Sequence, residues 1–232
     1  MAFSLIAAMS ENCFRRPEVN VVVTGLDGAG KTATVERLKA QFGAQKKSMV
    51  PLDKLKTTMG MNLAKLDLCG CRVMVWDLGG SPKLRGLWER YYGDAHAWIY
   101  VVDAADTDRL DEAAAEFASA CDHHDLLSLP CLVLANKQDR GPAVECDDLE
   151  RSLDLAARRS AERRILLRGS SAVSAEGIAE AVTDLVRVAK KNALYAHDVP
   201  SAAHCLRDPP DDAHERESSR AAASSSSRAA AS

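Results

Sequence analysis

What the 232-residue sequence lacks narrows its function before any motif is weighed. No apolar stretch approaches the roughly 20 residues that a membrane-spanning helix needs. The formal net charge is only −3, so bulk charge gives no support for binding nucleic acid, and no nucleic-acid partner is expected. A secretory signal is missing too: the apolar run through Phe3, Leu5, Ile6 and Met9 is short and begins too close to the terminus. Residue 2 is Ala, which excludes the N-myristoylation signal that requires Gly there. The seven cysteines are odd in number and dispersed, which points to reduced thiols in the cytosol. Neither Cys69 and Cys71 nor Cys121 with His123 and His124 has a common zinc-site spacing.

What is present is ordinary in bulk and specific in detail. Hydrophobic residues make up 47% and charged residues 27%, as in a soluble globular domain with a sizeable core. Within it, Gly25-Leu26-Asp27-Gly28-Ala29-Gly30-Lys31-Thr32 reads G-x-x-x-x-G-K-T, the phosphate-binding loop. It follows the apolar run Val19 to Val23 and precedes a helical stretch over Thr34 to Ala40, the context the motif needs. The glycines let backbone N–H groups close on phosphate oxygens, Lys31 adds a full charge, and Thr32 offers a hydroxyl to a magnesium ion.

Further strands are expected as a hairpin over Leu63–Leu68 and Arg72–Asp77, then at Trp98–Asp103, Cys131–Ala135 and, weakly, Ile165–Leu167. Helices are expected over Leu84–Tyr92, Asp106–Cys121, Asp147–Ala157 and Glu176–Lys191. Buried strands alternating with amphipathic helices imply an α/β fold, a mostly parallel sheet with helices on both faces. Phe42 to Thr58 is read as a long surface loop. The folded domain is placed at 18–195. Residues 1–17 are either an amphipathic membrane or switch segment or an unstructured terminus, and the Ser/Ala/Arg-rich stretch 196–232 is read as disordered.

Four more stretches bear on the phosphate loop. Asp77-Leu78-Gly79-Gly80 ends a strand; Asp77 suits a magnesium water shell and Gly80 a terminal phosphate. Asn136-Lys137-Gln138-Asp139 follows a strand and suits guanine. The carboxylate of Asp139 can accept from the base's N1 and exocyclic N2, donors that adenine lacks as a pair. Asn136 can bond the base's other edge, and the Lys137 stem can cover a flat face. Ser170-Ser171-Ala172 is either an ordinary turn or a source of an N–H for the base's carbonyl, through Ser171 or Ala172. Thr58, beyond the long loop, can reach magnesium only when a third phosphate is present, which would make a switch.

These stretches, with LWERYY over 87–92 and VVDAAD over 101–106, resemble the ADP-ribosylation factor family of small GTPases across about residues 18 to 195. The TTMGMN and WDLGGSPKLRGLWERYY stretches are most similar to its ADP-ribosylation-factor-related branch, linked to the trans-Golgi network. The resemblance implies a P-loop small-GTPase fold, GTP or GDP as ligand, Mg²⁺, and a role in vesicle traffic. It implies an exchange factor, a GTPase-activating protein and membrane effectors as partners. Location follows: cytosol, and the cytoplasmic face of Golgi membranes. The GTP-binding set it implies is Gly25, Asp27, Gly28, Ala29, Gly30, Lys31, Thr32, Ala33, Thr58, Asp77, Gly80, Asn136, Lys137, Asp139, Ser171 and Ala172, with Thr32 and Thr58 on the metal. Met61, Trp76 and Tyr91 match an effector-facing apolar triad, their alternative being core packing. The family also implies that the hairpin slides in register when GTP replaces GDP.

Ser81 departs from the pattern. The family has Gln at this position, which orients the attacking water, and Ser is too short to reach the same place. Hydrolysis is therefore expected to be slow. The rival readings are a GTP-locked adaptor and, less consistent with N-K-x-D, a P-loop nucleotide kinase.

Overall fold

The computed structural model describes residues 16–43, 50–160 and 163–196. The segments expected at 1–17 and 196–232 lie outside these except for residues 16, 17 and 196, as do residues 44–49 of the long loop. In chain order the described elements are β1 (Glu18–Thr24), α1 (Lys31–Phe42), β2 (Met61–Leu68), β3 (Cys71–Leu78), α2 (Pro82–Arg85), β4 (Ala97–Asp103), α3 (Leu110–Cys121), β5 (Cys131–Asn136), α4 (Cys146–Ser152), α5 (Leu155–Arg158), β6 (Ile165–Gly169) and α6 (Ile178–Ala196). Short 3₁₀ turns lie at Leu52–Lys54, Trp88–Tyr91, Thr107–Arg109 and His124–Leu126.

The strands form one six-stranded sheet in the order β2-β3-β1-β4-β5-β6. Only β2 runs antiparallel to its neighbour. The mostly parallel α/β architecture expected from the alternating pattern is therefore present. Strand order reverses around β1, so the loop after β1 opens into the crevice between neighbours, the place where such sheets bind ligands. The hairpin turn is Cys69-Gly70, with φ of 55° and 71°. Two successive positive φ values match the twist of the flanking strands.

Period-two alternation divides the core. Val21, Val23, Val73, Val75, Ile99 and Val101 face α1 and α6, where Leu38, Val182 and Leu185 meet them. Val22, Trp98, Tyr100, Val133 and Leu167 face the other way, against Phe117 of α3, Leu149 of α4 and Leu155 of α5. Phe117 stacks on Trp98 with centroids 5.4 Å apart and tilts against Tyr100 at 5.1 Å. The Tyr100 hydroxyl donates to the Ala113 carbonyl at 2.7 Å, so its buried polar tip is satisfied.

Three expected helices differ in detail. Leu84–Tyr92 is a single turn, α2, followed by a 3₁₀ turn, because Gly86 and Leu87 stand between them. Asp106–Cys121 begins with a 3₁₀ turn before α3. Asp147–Ala157 breaks into α4 and α5 at Asp154, whose left-handed φ of 49° does not continue a helix.

At the outer edge, β6 is partly capped by side chains. Backbone alternation turns the Ile165 and Leu167 carbonyls away from β5, since Arg164 O bonds Cys131 N. Arg159 Nε donates to the first at 3.1 Å, and Arg168 donates to the second at 2.9 Å.

Phe117→Ala should destabilise the protein by about 3–5 kcal/mol, the usual range for emptying a large aromatic site in a core. Urea unfolding at fixed nucleotide concentration measures this, and an unmoved midpoint would contradict the stacking described.

Candidate nucleotide site

The carboxyl ends of five strands bring the predicted residues to one edge of the sheet. β1 leads into the phosphate loop and β3 ends at Asp77 and Leu78, with Gly79 and Gly80 beyond. β4 supplies Asp103, β5 supplies Asn136, and β6 leads to Ser170-Ser171-Ala172.

The Lys31 ammonium is 5% exposed and donates to the carbonyls of Gly25 at 2.8 Å and Leu26 at 2.7 Å. Burial pushes its pKa down to about 8, against the pull of Asp77 and Asp27. A Cβ at Gly28, with φ of 78°, would meet nothing within 4 Å, which leaves the cradle open on that side. At Gly80 the reverse holds. A Cβ there would lie 2.4 Å from Lys31 Nζ and from the Gly25 carbonyl, and 2.6 Å from Asp27 N. Gly80 thus lies directly against the phosphate loop, and its carbonyl accepts from Asp27 N–H at 3.2 Å.

Thr32, Thr58 and Asp77 converge although 45 residues separate the first from the last. Thr32 Oγ1 lies 2.8 Å from Thr58 Oγ1 and donates to Asp77 Oδ2 at 2.7 Å. Asp77 is fully buried, and among the described residues its Oδ1 atom has no hydrogen-bond partner. Burial raises its pKa, opposed by the hydroxyl donors and Lys31. An orphaned buried carboxylate oxygen beside two hydroxyls is an all-oxygen donor set that suits a hard divalent cation.

The base end is bound together by side chains. Asn136, expected at the base's edge, also bonds two backbone groups, and its Nδ2 keeps a second hydrogen for another acceptor. Its Nδ2 donates to the Ala29 carbonyl at 2.8 Å, and its Oδ1 accepts from Ala172 N at 3.1 Å. It braces the phosphate loop against the base loop. A Cβ at Gly30 would lie 2.3 Å from that amide, so Gly is the residue that admits the brace. Lys137, in a left-handed conformation with φ of 69°, pairs with Asp103. Asp139 accepts from Ser171 Oγ. Ala29 and Ala172 are buried, while Ala33 sits in the packing of α1 and contributes no polar group beyond its backbone.

Ser81 caps α2 without a side-chain hydrogen bond, and Pro82 begins that helix. Nearby is a set of charges that no motif announces. Arg85, 10% exposed, pairs with Glu112 at 2.7 Å and Glu116 at 2.8 Å, and its Nε donates to the Gly80 carbonyl at 2.9 Å. Arg109 bridges Glu112 at 2.8 Å and Asp27 at 2.9 Å. Those two guanidinium groups hold Glu112 at a pKa of about 2, and Arg109 also lowers that of Asp27. The sequence signal for it is slight: Glu112 and Glu116 stand four residues apart on α3, with Arg109 just ahead of that helix.

Of the apolar triad, Met61 is 39% exposed, and Trp76 and Tyr91 are half-buried with rings 5.8 Å apart. None of the three is fully buried. Met59, at 89% exposure, and Leu63 extend the patch beyond the expected residues.

The model of the Arf (ADP-ribosylation factor) family matches residues 5–189. The chain belongs to the ADP-ribosylation factor family. It is 34% identical over 190 residues to ADP-ribosylation factor-related protein 1 of Bos taurus, covering 82% of this chain and 94% of that protein. ADP-ribosylation factor-like protein 3 of Saccharomyces cerevisiae is 30% identical over 191 residues, covering 82% and 95%. Among solved structures, the Arl6 BBS3 small GTPase of Trypanosoma brucei, bound to the nucleotide analogue GppNp, is similar. Its TM-score is 0.65 and its identity 29%, over 75% of this chain and 98% of that one. The protein is thus a small GTPase of this family, a GTP-binding switch. Among the described residues, no helix is long and apolar enough to cross a membrane.

Two outcomes follow from the phosphate end. Lys31 has a depressed pKa when no phosphate faces it, and bound phosphates raise it, so nucleotide binding takes up a proton. Affinity should hold below pH 8 and fall by up to about tenfold per unit as pH rises above it. Calorimetry between pH 7.5 and 9.5 in buffers of different ionisation enthalpy reads both effects; a flat profile would contradict a buried, partly deprotonated Lys31. Gly80→Ala should push the segment after β3 off the phosphate loop and lower affinity for GTP more than for GDP, by about tenfold or more. Competition binding of the two nucleotides tests this, and equal losses would place Gly80 elsewhere.

Proposed function

We propose that the protein is a GTP-dependent switch for vesicle traffic at Golgi and trans-Golgi membranes, which holds GTP well and hydrolyses it slowly. The observation that carries this is the pairing of a switch-ready site with a weakened hydrolytic position. Thr58, from beyond the long loop, sits against Thr32 and Asp77, whereas Ser81 makes no side-chain hydrogen bond at the helix start where the family has a Gln. Arg85 does not replace that Gln, because its guanidinium is taken up by two glutamates and the Gly80 carbonyl.

In this reading Lys31 and the loop amides hold the phosphates. Thr32 and Thr58 would hold Mg²⁺, with Asp77 behind its water shell, and the ion would neutralise charge on the phosphates. Gly80 senses the third phosphate, Lys137 covers the base, and Asn136 and Asp139 select guanine. The domain spans 18–195, with 1–17 as its membrane or switch segment and 196–232 as a tail. Met61, Trp76 and Tyr91, joined by Met59 and Leu63, face effectors; the soft methionines favour an adaptable fit. An exchange factor and an activating protein complete the cycle, and the cytosol and Golgi surface are its locations.

A second reading, the GTP-locked adaptor, is favoured by Ser81 and Pro82 alone. Single-turnover kinetics with the purified full chain separate the two. A Ras-like switch hydrolyses GTP at about 3–5 × 10⁻⁴ s⁻¹ unaided. Here the rate should lie below that and rise with Ser81→Gln. A wild-type rate typical of efficient enzymes would sink the proposal, and a rate that stays at zero even with an activating protein would favour the adaptor.

A further inference from the structure

The base loop Ser170-Ser171-Ala172 belongs to no strand or helix, lying between β6 and α6. Its inner side is held by side chains of the N-K-x-D stretch: Ala172 N donates to Asn136, and Ser171 Oγ donates to Asp139. Ser171 Oγ also accepts from the backbone N–H groups of Val173 and Ser174, each at 3.1 Å. Its outer side is held by a residue that no nucleotide motif contains. Arg37 donates Nε to the Ala172 carbonyl at 2.7 Å and its Nη2 group to the next carbonyl, that of Val173. One planar guanidinium therefore takes two consecutive carbonyls 135 and 136 residues away in sequence. Such a fork fixes orientation as well as distance, because its donors are rigidly spaced and charge-assisted.

Arg37 stands on α1, whose first residue is Lys31. The phosphate loop and the base loop are thus joined twice. Asn136 joins them from inside through Ala29 and Ala172, and Arg37 joins them from outside through the helix that the phosphate loop begins. The outer join has little packing to replace it, since Val173 is 59% exposed.

We propose that Arg37 is a positioning residue for guanine recognition, which holds the base loop at the distance from the phosphate loop where Ala172 N–H, bonded to Asn136 Oδ1 in this structure, can turn to the base oxygen at position 6. This rests on the nucleotide reading above. It makes Arg37 act on one edge of the base only. The carboxylate of Asp139, which reads the N1 and exocyclic N2 donors, stands on the loop after β5, which Arg37 does not touch; its tie to the base loop is the Ser171 hydroxyl, so its place should be the less disturbed of the two.

The test uses the purified full chain as wild type, Arg37→Ala and Arg37→Lys, with affinities for GDP, 6-thio-GDP and IDP measured by competition. 6-Thio-GDP changes only the position-6 acceptor, and IDP lacks only the 2-amino group. Wild type should prefer GDP over both. Arg37→Ala should lose about tenfold in GDP affinity and bring the GDP to 6-thio-GDP ratio close to one, with the GDP to IDP ratio unchanged. Arg37→Lys, with a charge but no fork, should restore part of the ratio. Two equal losses in Arg37→Ala would mean general loosening and would overturn the proposal, as would an unmoved position-6 ratio. A failure of the variant to fold leaves the lysine variant as the test: full wild-type behaviour there would show that the fork is unnecessary and overturn it. Absence of GDP binding by wild type would instead overturn the nucleotide reading itself.

Discussion

One buried carboxylate oxygen ties together three distant parts of the chain. Asp77 Oδ2 accepts from Thr32, at the start of α1, and weakly from Thr58, at 3.4 Å, just ahead of β2. An ionised carboxylate in that setting is costly unless it is satisfied, and its second oxygen has no hydrogen-bond partner among the described residues. The site is therefore arranged around an electrostatic demand that the chain alone meets only in part. Lys31 answers it from one side, and its own pKa is lowered by the same burial. A buried ammonium and a buried carboxylate at one site are well placed to receive a ligand carrying both phosphate and cation.

The sheet makes this possible by bringing five strand ends to one edge while hydrophobic layers on both faces hold the strands rigid. The charge network beyond it has a different character. Arg85, Arg109, Glu112, Glu116 and Asp27 join the segment after β3 to α3 and to the phosphate loop. Movement of the Gly80 segment would withdraw Arg85 and leave Glu116 without its guanidinium partner. The position of that segment is consequently felt along α3, on the face of the sheet opposite α1.

Much of this was legible in the sequence because it rests on local chemistry. A phosphate loop between a Val-rich strand and a helix, or N-K-x-D after an apolar run, has a spacing that survives without tertiary context. The strands were legible for the same reason, since their apolar runs are long and bounded by turns. The helix breaks were less so: Asp154 adopts a left-handed conformation that nothing in an Asp-rich helical stretch announces, and the turn at Gly86 was absorbed into a continuous pattern. The type and spacing of Asn136 point to the base, and its further bonds to Ala29 and Ala172 depend on folding that no spacing encodes. Arg37 and Arg85 stand within expected helices and in no motif of their own, and the approach of distant backbone carbonyls is what gives them a role.

The two borders of the sheet differ. On β6 the outward carbonyls of Ile165 and Leu167 are occupied by arginines, while among the described residues β2 carries beyond β3 only an isolated bridge between Gly43 and Leu66. Endless stacking of copies, strand beside strand, requires a free border at each end of every molecule. With those two acceptors taken, the β6 border offers an incoming strand fewer bonds than an open edge would, and a second copy would find less there to pair with.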